Sequence, residues 1–419
     1  MWKSFIYLIV LLPGILLAQN QLTIEQCYEM ARNNYPLIKQ KELIEQSKEF
    51  SIANVGSGYL PQISINAQAT YQSDVTSVPV SIPGFTIETL SKDQYKVYGE
   101  LSQSLYDGGS IKNQKAIAET NARVEDQRLE IDLYKIRERI NQLYFGVLLV
   151  DEQLKQIDLL RKDLQTNIAR AESALRNGTA YKMTVDLLQA EFLKVTQRTI
   201  EAQAMRQTYL EMLGYFINQQ LDESTQLAKP IVLSFDDQPQ LTRPELNLFN
   251  YQSEMLGAQY QLGKTKTMPR VGLFFQGGYG KPALNQLLNE FDTYYIGGIR
   301  LNWSLSGFYN SKRDKQLFDI NLQQVNAQKE AFVFNTNLAT NQQKGELTKL
   351  QKLIEVDDQI IELRTRIKIT AEVQQENGVI TTNDYLRELN AEDQAKQNRL
   401  LHEMQMLMAL YAYQNTIGN

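Results

Sequence analysis

Few side chains of this sequence have the types and spacing that enzymatic chemistry requires. The chain of 419 residues contains one histidine, His402, and one cysteine, Cys27. One residue of each type provides neither the usual zinc-binding cluster nor a Ser-His-Asp arrangement with plausible partners. The sequence also lacks a glycine-rich phosphate-binding loop. We therefore predict that the protein is not an enzyme and has no metal site.

The charged side chains of most interest follow two Asn-Gly pairs. They are Asp186 after Asn177-Gly178, and Asp384 and Arg387 after Asn377-Gly378. An acidic residue near a helix start interacts favourably with the helix dipole. The role of these residues therefore depends on the helices that carry them.

Two very long helices are predicted to end at the Asn-Gly pairs. From Leu129 to Leu175 apolar residues recur mostly at alternating steps of four and three, the pattern of a left-handed coiled coil. The predicted helix from Ser110 to Arg176 has about 67 residues and a length of about 100 Å. A second long helix is predicted from Asn310 to Glu376, where polar residues near 335–345 interrupt the apolar pattern.

Shorter helices are predicted around the long ones. They cover Thr23 to Val55 with a break near Pro36, Met183 to Phe216, Glu245 to Lys266, and Asp384 to Tyr413. Cys27 lies in the first of these helices, where we expect a small buried side chain. Two of them placed end to end would match one long helix in length.

Four segments alternate between apolar and polar residues with the period of a strand. Their apolar positions are Ile63, Ile65, Ala67, Ala69 and Tyr71; Tyr95, Val97, Leu101 and Leu105; Val271, Leu273, Phe275 and Tyr279; and Ile299, Leu301, Trp303 and Leu305. Strands of this length can cross a bilayer at a tilt, but four cannot close a barrel. Because open sheet edges are not tolerated in hydrocarbon, a membrane sheet would need strands from other copies. A soluble two-hairpin sheet packed on helices is the alternative.

The order of these elements occurs twice, which predicts an internal duplication. We place the first repeat at residues 19–217, a linker at 218–243 and the second repeat at 244–419. Residues 1–18 are predicted to be a signal peptide, with Lys3 before the apolar stretch from Phe5 to Leu17. The net charge of −5, with acidic and basic residues interspersed, argues against a nucleic-acid partner.

The chain resembles the outer membrane efflux protein family, of which TolC is the best-known member. The resemblance rests on Tyr59 to Ser64, on Leu101 to Gly109 with its weaker counterpart Leu301 to Gly307, and on Asn377-Gly378 followed by Asp384 to Leu386. It implies a mixed α and β membrane protein in which three chains each give four strands to a twelve-stranded β-barrel. A long coiled-coil α-helical barrel would continue from it across the periplasm.

The resemblance also implies partners and a location. Such ducts form homotrimers in outer membrane lipid, with a large periplasmic portion. They dock on a periplasmic adaptor, or membrane fusion protein, and on an inner-membrane pump of the RND or ABC type. They carry no cofactor. The function implied is an exit duct of a tripartite efflux or secretion system.

Particular residues follow from the same resemblance. Asp384 matches the position whose carboxylates ring the periplasmic entrance, and Arg387 stands where the family often has a second acid. Asp186 is a weaker candidate, since Thr184 occupies the aligned position in the first repeat. The tips, Asn177-Gly178 and Asn377-Gly378, are expected to bind the adaptor, because glycine lets a partner's backbone approach closely.

Two other functions stay open at this stage. An exit channel for type I protein secretion would have the same architecture. A soluble periplasmic coiled-coil scaffold would explain the helices but not four aromatic-rich strands. Aromatic side chains near the strand ends could form the belts of a membrane barrel: Tyr71, Tyr95, Tyr98, Tyr279, Tyr294, Tyr295 and Trp303.

Overall fold

The computed structural model describes residues 21–76, 89–230 and 240–418. The predicted signal peptide and part of the predicted linker lie outside these ranges. The chain forms two compact units. The sheet unit contains residues 39–132 and 243–335, and the tip unit contains residues up to 38, 133–242 and from 336 onward.

Among the described residues of the first half, four α-helices and two strands follow one another. They are α1 (Ile24–Asn34), α2 (Gln40–Gly56), β1 (Gln62–Tyr71), β2 (Asp93–Tyr106), α3 (Ser110–Arg176) and α4 (Lys182–Ile217). Thr23 caps α1 through a capping box with Gln26. The predicted break near Pro36 is confirmed, because a short 3-10 helix, Pro36–Lys39, separates α1 from α2.

In the described residues of the second half the elements have the same order, except that one α-helix instead of two precedes the strands. They are α5 (Pro244–Lys264), β3 (Arg270–Lys281), β4 (Asp292–Asn302), α6 (Ser311–Glu376) and α7 (Thr382–Ile417). The bounds of α3 match the prediction at both ends, and the other predicted helices agree within a few residues. No helix among residues 21–76, 89–230 and 240–418 combines the length and apolar character needed to cross a membrane.

The four strands form one antiparallel sheet in the order β1-β2-β3-β4. Ile63 lies opposite Leu101, and Leu101 lies opposite Phe275, so the apolar residues of neighbouring strands share one face. This face is exposed; Ile65, for example, is 82% exposed. Among the described residues, no strand pairs with the outer edge of β1 or β4.

The other face of the sheet carries polar residues. Glu100 accepts a hydrogen bond from Gln276 at 2.6 Å and pairs with Arg300 at 3.2 Å. The Arg300 guanidinium lies 4.4 Å from the ring centre of Phe274. Glu100, Gln276 and Arg300 therefore lie on the face opposite the apolar one, as the alternating sequence predicts, together with aromatic rings such as Phe274.

Two predictions about the strands are wrong. β4 ends at Asn302 and a 3-10 helix, Leu305–Tyr309, follows, so Trp303 and Leu305 lie outside the sheet. Tyr98 and Tyr294 both flank Gly278 on the polar face, where a Cβ on that glycine would clash with them. Neither tyrosine can belong to an aromatic belt on the apolar face.

Gly108, in the segment that carries the family resemblance, has a backbone reason to be glycine. Its φ is +70°, and an added Cβ would lie 2.8 Å from the Cβ of Met268. Gly307 in the second half also has no room for a side chain, since an added Cβ would lie 2.8 Å from the carbonyl oxygen of Lys266. At both positions the chain turns from a strand toward a long helix against the segment 265–268.

The coiled-coil pattern of α3 is buried, as predicted. Its positions from Leu129 to Ala171 are buried or half-buried, whereas Leu175, the last one, is exposed. In the tip unit α3 packs with α4, α6 and α7 around one apolar cluster. Leu164, Leu188, Val195 and Leu389 are among its most buried members.

We expect Leu164→Ala to destabilise the tip unit strongly. Leu164 is fully buried, and removal of a buried leucine side chain typically costs about 2–5 kcal/mol. The measurement is the urea concentration at which the helical circular dichroism is half lost. Leu159→Ala on the same helix is the matched control, since Leu159 is 57% exposed. An equally large loss at Leu159 would show that another copy covers that face.

Candidate functional site

The first Asn-Gly pair forms the turn between α3 and α4. Gly178 has a φ of +74°, and its amide donates to the carbonyl oxygen of Leu175 at 3.0 Å. The amide of Thr179 donates to the carbonyl oxygen of Ala174 at 2.9 Å. This is the hydrogen-bond pattern of a helix that ends in a left-handed glycine. The glycine therefore allows the chain to reverse direction at this tip.

The second pair repeats this geometry between α6 and α7. Gly378 has a φ of +71°, and the amide of Val379 donates to the carbonyl oxygen of Gln374 at 2.8 Å. The side-chain amide of Asn377 also donates to the carbonyl oxygen of Val373 at 2.8 Å. The two tips are thus the same structural motif in the two halves of the chain.

Both tips present open backbone beside exposed apolar side chains. A Cβ added to Gly178 or Gly378 would meet nothing within 4 Å. Tyr181 and Met183 beside the first tip and Val379 beside the second are largely exposed. These three residues were not predicted to be site residues, although apolar side chains directly after an Asn-Gly turn are a signal that could have been used.

Asp384 takes part in the start of α7. Its carboxylate accepts hydrogen bonds from the Thr381 hydroxyl at 2.6 Å and from the Thr381 amide at 3.2 Å. The Thr381 hydroxyl accepts in turn from the Asp384 amide, which completes a capping box. The hydrogen bonds from Thr381, and then the nearby charge of Arg387, lower the pKa of Asp384. The carboxylate is therefore an ionised group at the surface of the second tip.

Arg387 lies between two carboxylates on α7. Its guanidinium is 3.6 Å from Asp384 and 3.0 Å from Glu388. Glu388 also pairs with Arg364 of α6 at 3.3 Å. These charges border an open groove of about 790 Å³ between α6 and α7, with Leu363, Ile367 and Ala371 on its apolar wall. Asp384 and Arg387 are therefore brought together, as two neighbours in one charged cluster.

Asp186 is not part of this cluster. It is exposed on α4 and makes no hydrogen bond or ion pair with the described residues. Thr184 occupies the position equivalent to Asp384, and α4 begins after Tyr181 without a side-chain cap. The first tip therefore has no counterpart to the capping box of the second.

Ion pairs connect the long helices α3 and α6 near the tips. Arg170 lies 2.6 Å from Glu376 and 3.3 Å from Glu372, and Lys368 lies 3.3 Å from Asp163. Most of these side chains are partly exposed, so each pair contributes little alone. The network links the two hairpins at defined positions along α3 and α6.

Buried polar contacts support the same arrangement. Tyr385 is buried and accepts a hydrogen bond from the Asn167 side chain at 2.8 Å. Arg198 of α4 pairs with the buried Asp393 of α7 at 2.8 Å. The two hairpins of one chain are thus held together by specific contacts as well as by apolar packing.

Cys27 and His402, the two residues first considered for chemistry, are both engaged in structural contacts. Cys27 is fully buried in α1, as predicted, and burial raises its pKa to about 12. The Nδ1 atom of His402 on α7 lies 2.6 Å from the carboxylate of Asp357 on α6. Among the described residues, no group of three or more His, Cys, Asp or Glu side chains could hold a metal ion.

Several solved structures share this fold. The outer membrane channel CmeC of Campylobacter jejuni has a TM-score of 0.63 and 13% identity, over 94% of this chain and 85% of the channel. VceC of Vibrio cholerae has a TM-score of 0.63 and 14% identity, over 94% of each chain. The open state of MtrE of Neisseria gonorrhoeae has a TM-score of 0.66 and 12% identity, over 94% and 89%. The fold is that of outer membrane channels.

The family model agrees with this class. Residues 27–217 match the model described as outer membrane efflux protein. No curated protein matches the chain. The resemblance to the outer membrane efflux protein family that the sequence predicts is confirmed, by the family model for the first half and by fold for nearly the whole chain.

Proposed function

We propose that this protein is the outer-membrane exit duct of a tripartite efflux system. Three copies would close their sheets into a twelve-stranded barrel, and their helices would form the periplasmic tunnel. The duct would conduct substrates when it is docked to a periplasmic adaptor and an inner-membrane pump. The family match and the channel fold support this proposal.

The observation that carries the proposal is the exposed apolar face of the sheet. Residues such as Ile65, Phe275 and Ile299 are exposed on it. A patch of this kind on a soluble protein would favour aggregation, but it suits contact with lipid. The apolar face therefore favours a membrane barrel over a soluble periplasmic scaffold.

The unpaired edges of β1 and β4 support assembly with other copies. An open sheet edge in hydrocarbon leaves backbone amides and carbonyls without partners, each at a cost of several kcal/mol. Pairing β1 of one copy with β4 of the next would satisfy both edges. Three such pairings give a closed ring.

The hairpin tips support adaptor binding. The bare backbone at Gly178 and Gly378, with Tyr181, Met183 and Val379 beside it, offers an apolar surface of small extent. A helical hairpin of an adaptor could approach this backbone closely. Asp384 and Arg387, with Asp186 as a weaker candidate, would line or close the entrance. Identification of the adaptor that binds these tips would show whether the pump is of the RND or ABC type.

The proposal is tested by a lysine on each face of the sheet. We expect Ile65→Lys to prevent stable insertion, because a lysine facing lipid near the middle of the membrane costs about 2–4 kcal/mol. Asn66→Lys is the matched control on the polar face. The measurement is the amount of trimer in purified outer membranes. Normal trimer with Ile65→Lys would contradict the proposal, since a soluble scaffold tolerates a lysine at so exposed a position.

A further inference from the structure

The loop between β3 and β4, residues 282–291, exposes a group of leucines. Leu284 is 54% exposed, Leu287 is 64% exposed and Leu288 is 53% exposed. They lie within five consecutive residues, so they form one patch, which we name the leucine turn (Leu284–Leu288). Large apolar side chains gathered on a surface turn indicate a contact with something other than water.

The leucine turn has a defined conformation. The side chain of Asn285 accepts a hydrogen bond from the Leu287 amide at 3.1 Å, and the Asn285 carbonyl oxygen accepts one from the Leu288 amide at 3.3 Å. Asn289 accepts from both the amide and the hydroxyl of Ser91, at 3.0 and 2.9 Å. The loop is thus tied to the segment before β2, and its leucines are held outward.

Both ends of the loop lie on the apolar face of the sheet. Phe291, its last residue, stacks on Tyr279 at 5.4 Å and on Tyr95 at 6.3 Å between ring centres. Tyr95 and Tyr279 belong to the exposed apolar face, and Lys281 lies opposite Tyr95 in the register. The Lys281 ammonium is 6.0 Å from the centre of the Phe291 ring. The leucine turn therefore continues the apolar face beyond the strand ends.

We propose that the leucine turn inserts into the lipid of the outer membrane, with its leucines among acyl chains and the Lys281 ammonium near anionic headgroups. This inference rests on the proposed function, because it requires that the apolar face of the sheet be in lipid. Lys281 lies on the same face as Tyr95 and Tyr279. A lysine in apolar surroundings can extend its charged end outward to the headgroups.

Lipid is favoured over a second copy of the chain because of this continuity. The leucine turn joins the apolar face through Phe291 and Lys281, and that face is the one assigned to lipid. The assembly proposed above uses the outer edges of β1 and β4, whereas the loop connects β4 to β3 across their far ends. Contact with lipid therefore requires no protein interface other than the strand edges already assigned to neighbouring copies.

The test places an environment-sensitive fluorophore on a cysteine at Leu287 of the full-length trimer, reconstituted in phospholipid vesicles. Cys27 can stay in place, because its side chain is fully buried and buried thiols react slowly; unsubstituted protein serves as the labelling blank. Ile65→Cys provides a reference within the apolar face, and Asn66→Cys one on the polar face. Each variant is measured with brominated acyl chains and with aqueous iodide.

We expect the label at position 287 to be quenched by brominated lipid as strongly as the label at position 65. We also expect iodide to quench it several-fold less than the label at position 66. Strong iodide quenching at 287 would place the turn in water, and protection from both quenchers would place it against protein. Either result, with lipid quenching retained at 65, overturns this inference alone. Loss of lipid quenching at 65 would refute the proposed function itself.

Discussion

Adaptor crosslinking is expected to fall to background when Gly178 and Gly378 are both replaced by asparagine, with the trimer retained. Asparagine tolerates the positive φ of +74° and +71° found at these positions, so both turns should survive. Its side chain would occupy the open space at each tip and keep a partner's backbone away. The measurement is photo-crosslinking from an unnatural residue at Val379, which is exposed beside the second tip.

The control for this experiment is Gly345→Asn in α6. A Cβ at Gly345 also meets nothing within 4 Å, but the residue lies within a helix and away from either turn. Crosslinking should be unchanged in this variant. If the doubly substituted tips still crosslink at the level of unsubstituted protein, the glycines serve only to end the helices and the docking surface lies elsewhere.

The captured partner would also define the transport system. An adaptor encoded beside a proton-driven pump would identify a duct for small molecules. An adaptor that belongs to an ATP-driven transporter would point to protein export. The sequence leaves open whether the duct serves small-molecule efflux or type I protein secretion. Mass spectrometry of the protein attached in the same crosslinked sample would distinguish the two.

Removal of charge at the second tip is expected to raise the conductance of the isolated duct several-fold. The double variant Asp384→Asn and Arg387→Gln abolishes the pair measured at 3.6 Å. The amide oxygen introduced at position 384 could still accept the hydrogen bonds of Thr381, so α7 should begin normally. The measurement is single-channel current in planar bilayers. If the entrance is closed by these charges, the double variant conducts more than the unsubstituted protein.

A second variant separates closure of the entrance from helix capping. Thr381→Ala removes the hydroxyl that caps α7 but leaves both charges, and loss of such a cap typically costs about 1 kcal/mol. We expect it to lower stability without a comparable rise in current. Equal currents from Thr381→Ala and from the charge variant would mean that fraying of α7, and not loss of charge, opens the duct.

The effect of pH on this tip follows from the direction of the Asp384 shift. Hydrogen bonds from Thr381 lower its pKa, so the ionised carboxylate stabilises the folded tip above its unfolded pKa. That contribution is lost only as the pH falls through the lower folded value. Because an ordinary aspartate has a pKa of about 3.9, the conductance at pH 5 should equal that at pH 7 if Asp384 governs it.

The sequence predicted the long helices well because their limits depend on local residues. Gly178 and Gly378 end α3 and α6 by adopting positive φ, and the apolar pattern of α3 has the period of a coiled coil. Each of these signals is local, because it depends on residues that are close to one another in the sequence. The tip motif was therefore identifiable before any three-dimensional contact was known.

The sequence predicted the strands less completely. Alternation continued past Asn302 through Trp303 and Leu305, although these residues leave the sheet; the Trp303 indole donates to the carbonyl oxygen of Thr267 at 3.0 Å. Tyr98 and Tyr294 were grouped by type, whereas their places in the register put them on the polar face. The alternation of side chains between the two faces of a strand would have shown this for Tyr98, because its neighbour Val97 is on the apolar face.

Contacts between the hairpins could not be read from the sequence. Arg170 and Glu376 lie more than two hundred positions apart, as do Asn167 and Tyr385. Their pairing depends on how two coiled coils pack, which no local pattern encodes. Asp186, which lies two residues beyond the position equivalent to Asp384, is absent from the charged cluster at the other tip.

The free edges of β1 and β4 also have a genetic consequence. In the proposed ring each sheet supplies one edge to each neighbour, so a single chain with a defective edge would interrupt the closed circuit of strand pairing. Such an allele should be dominant over the normal gene. With equal expression and random mixing, only about one ring in eight would contain three normal chains.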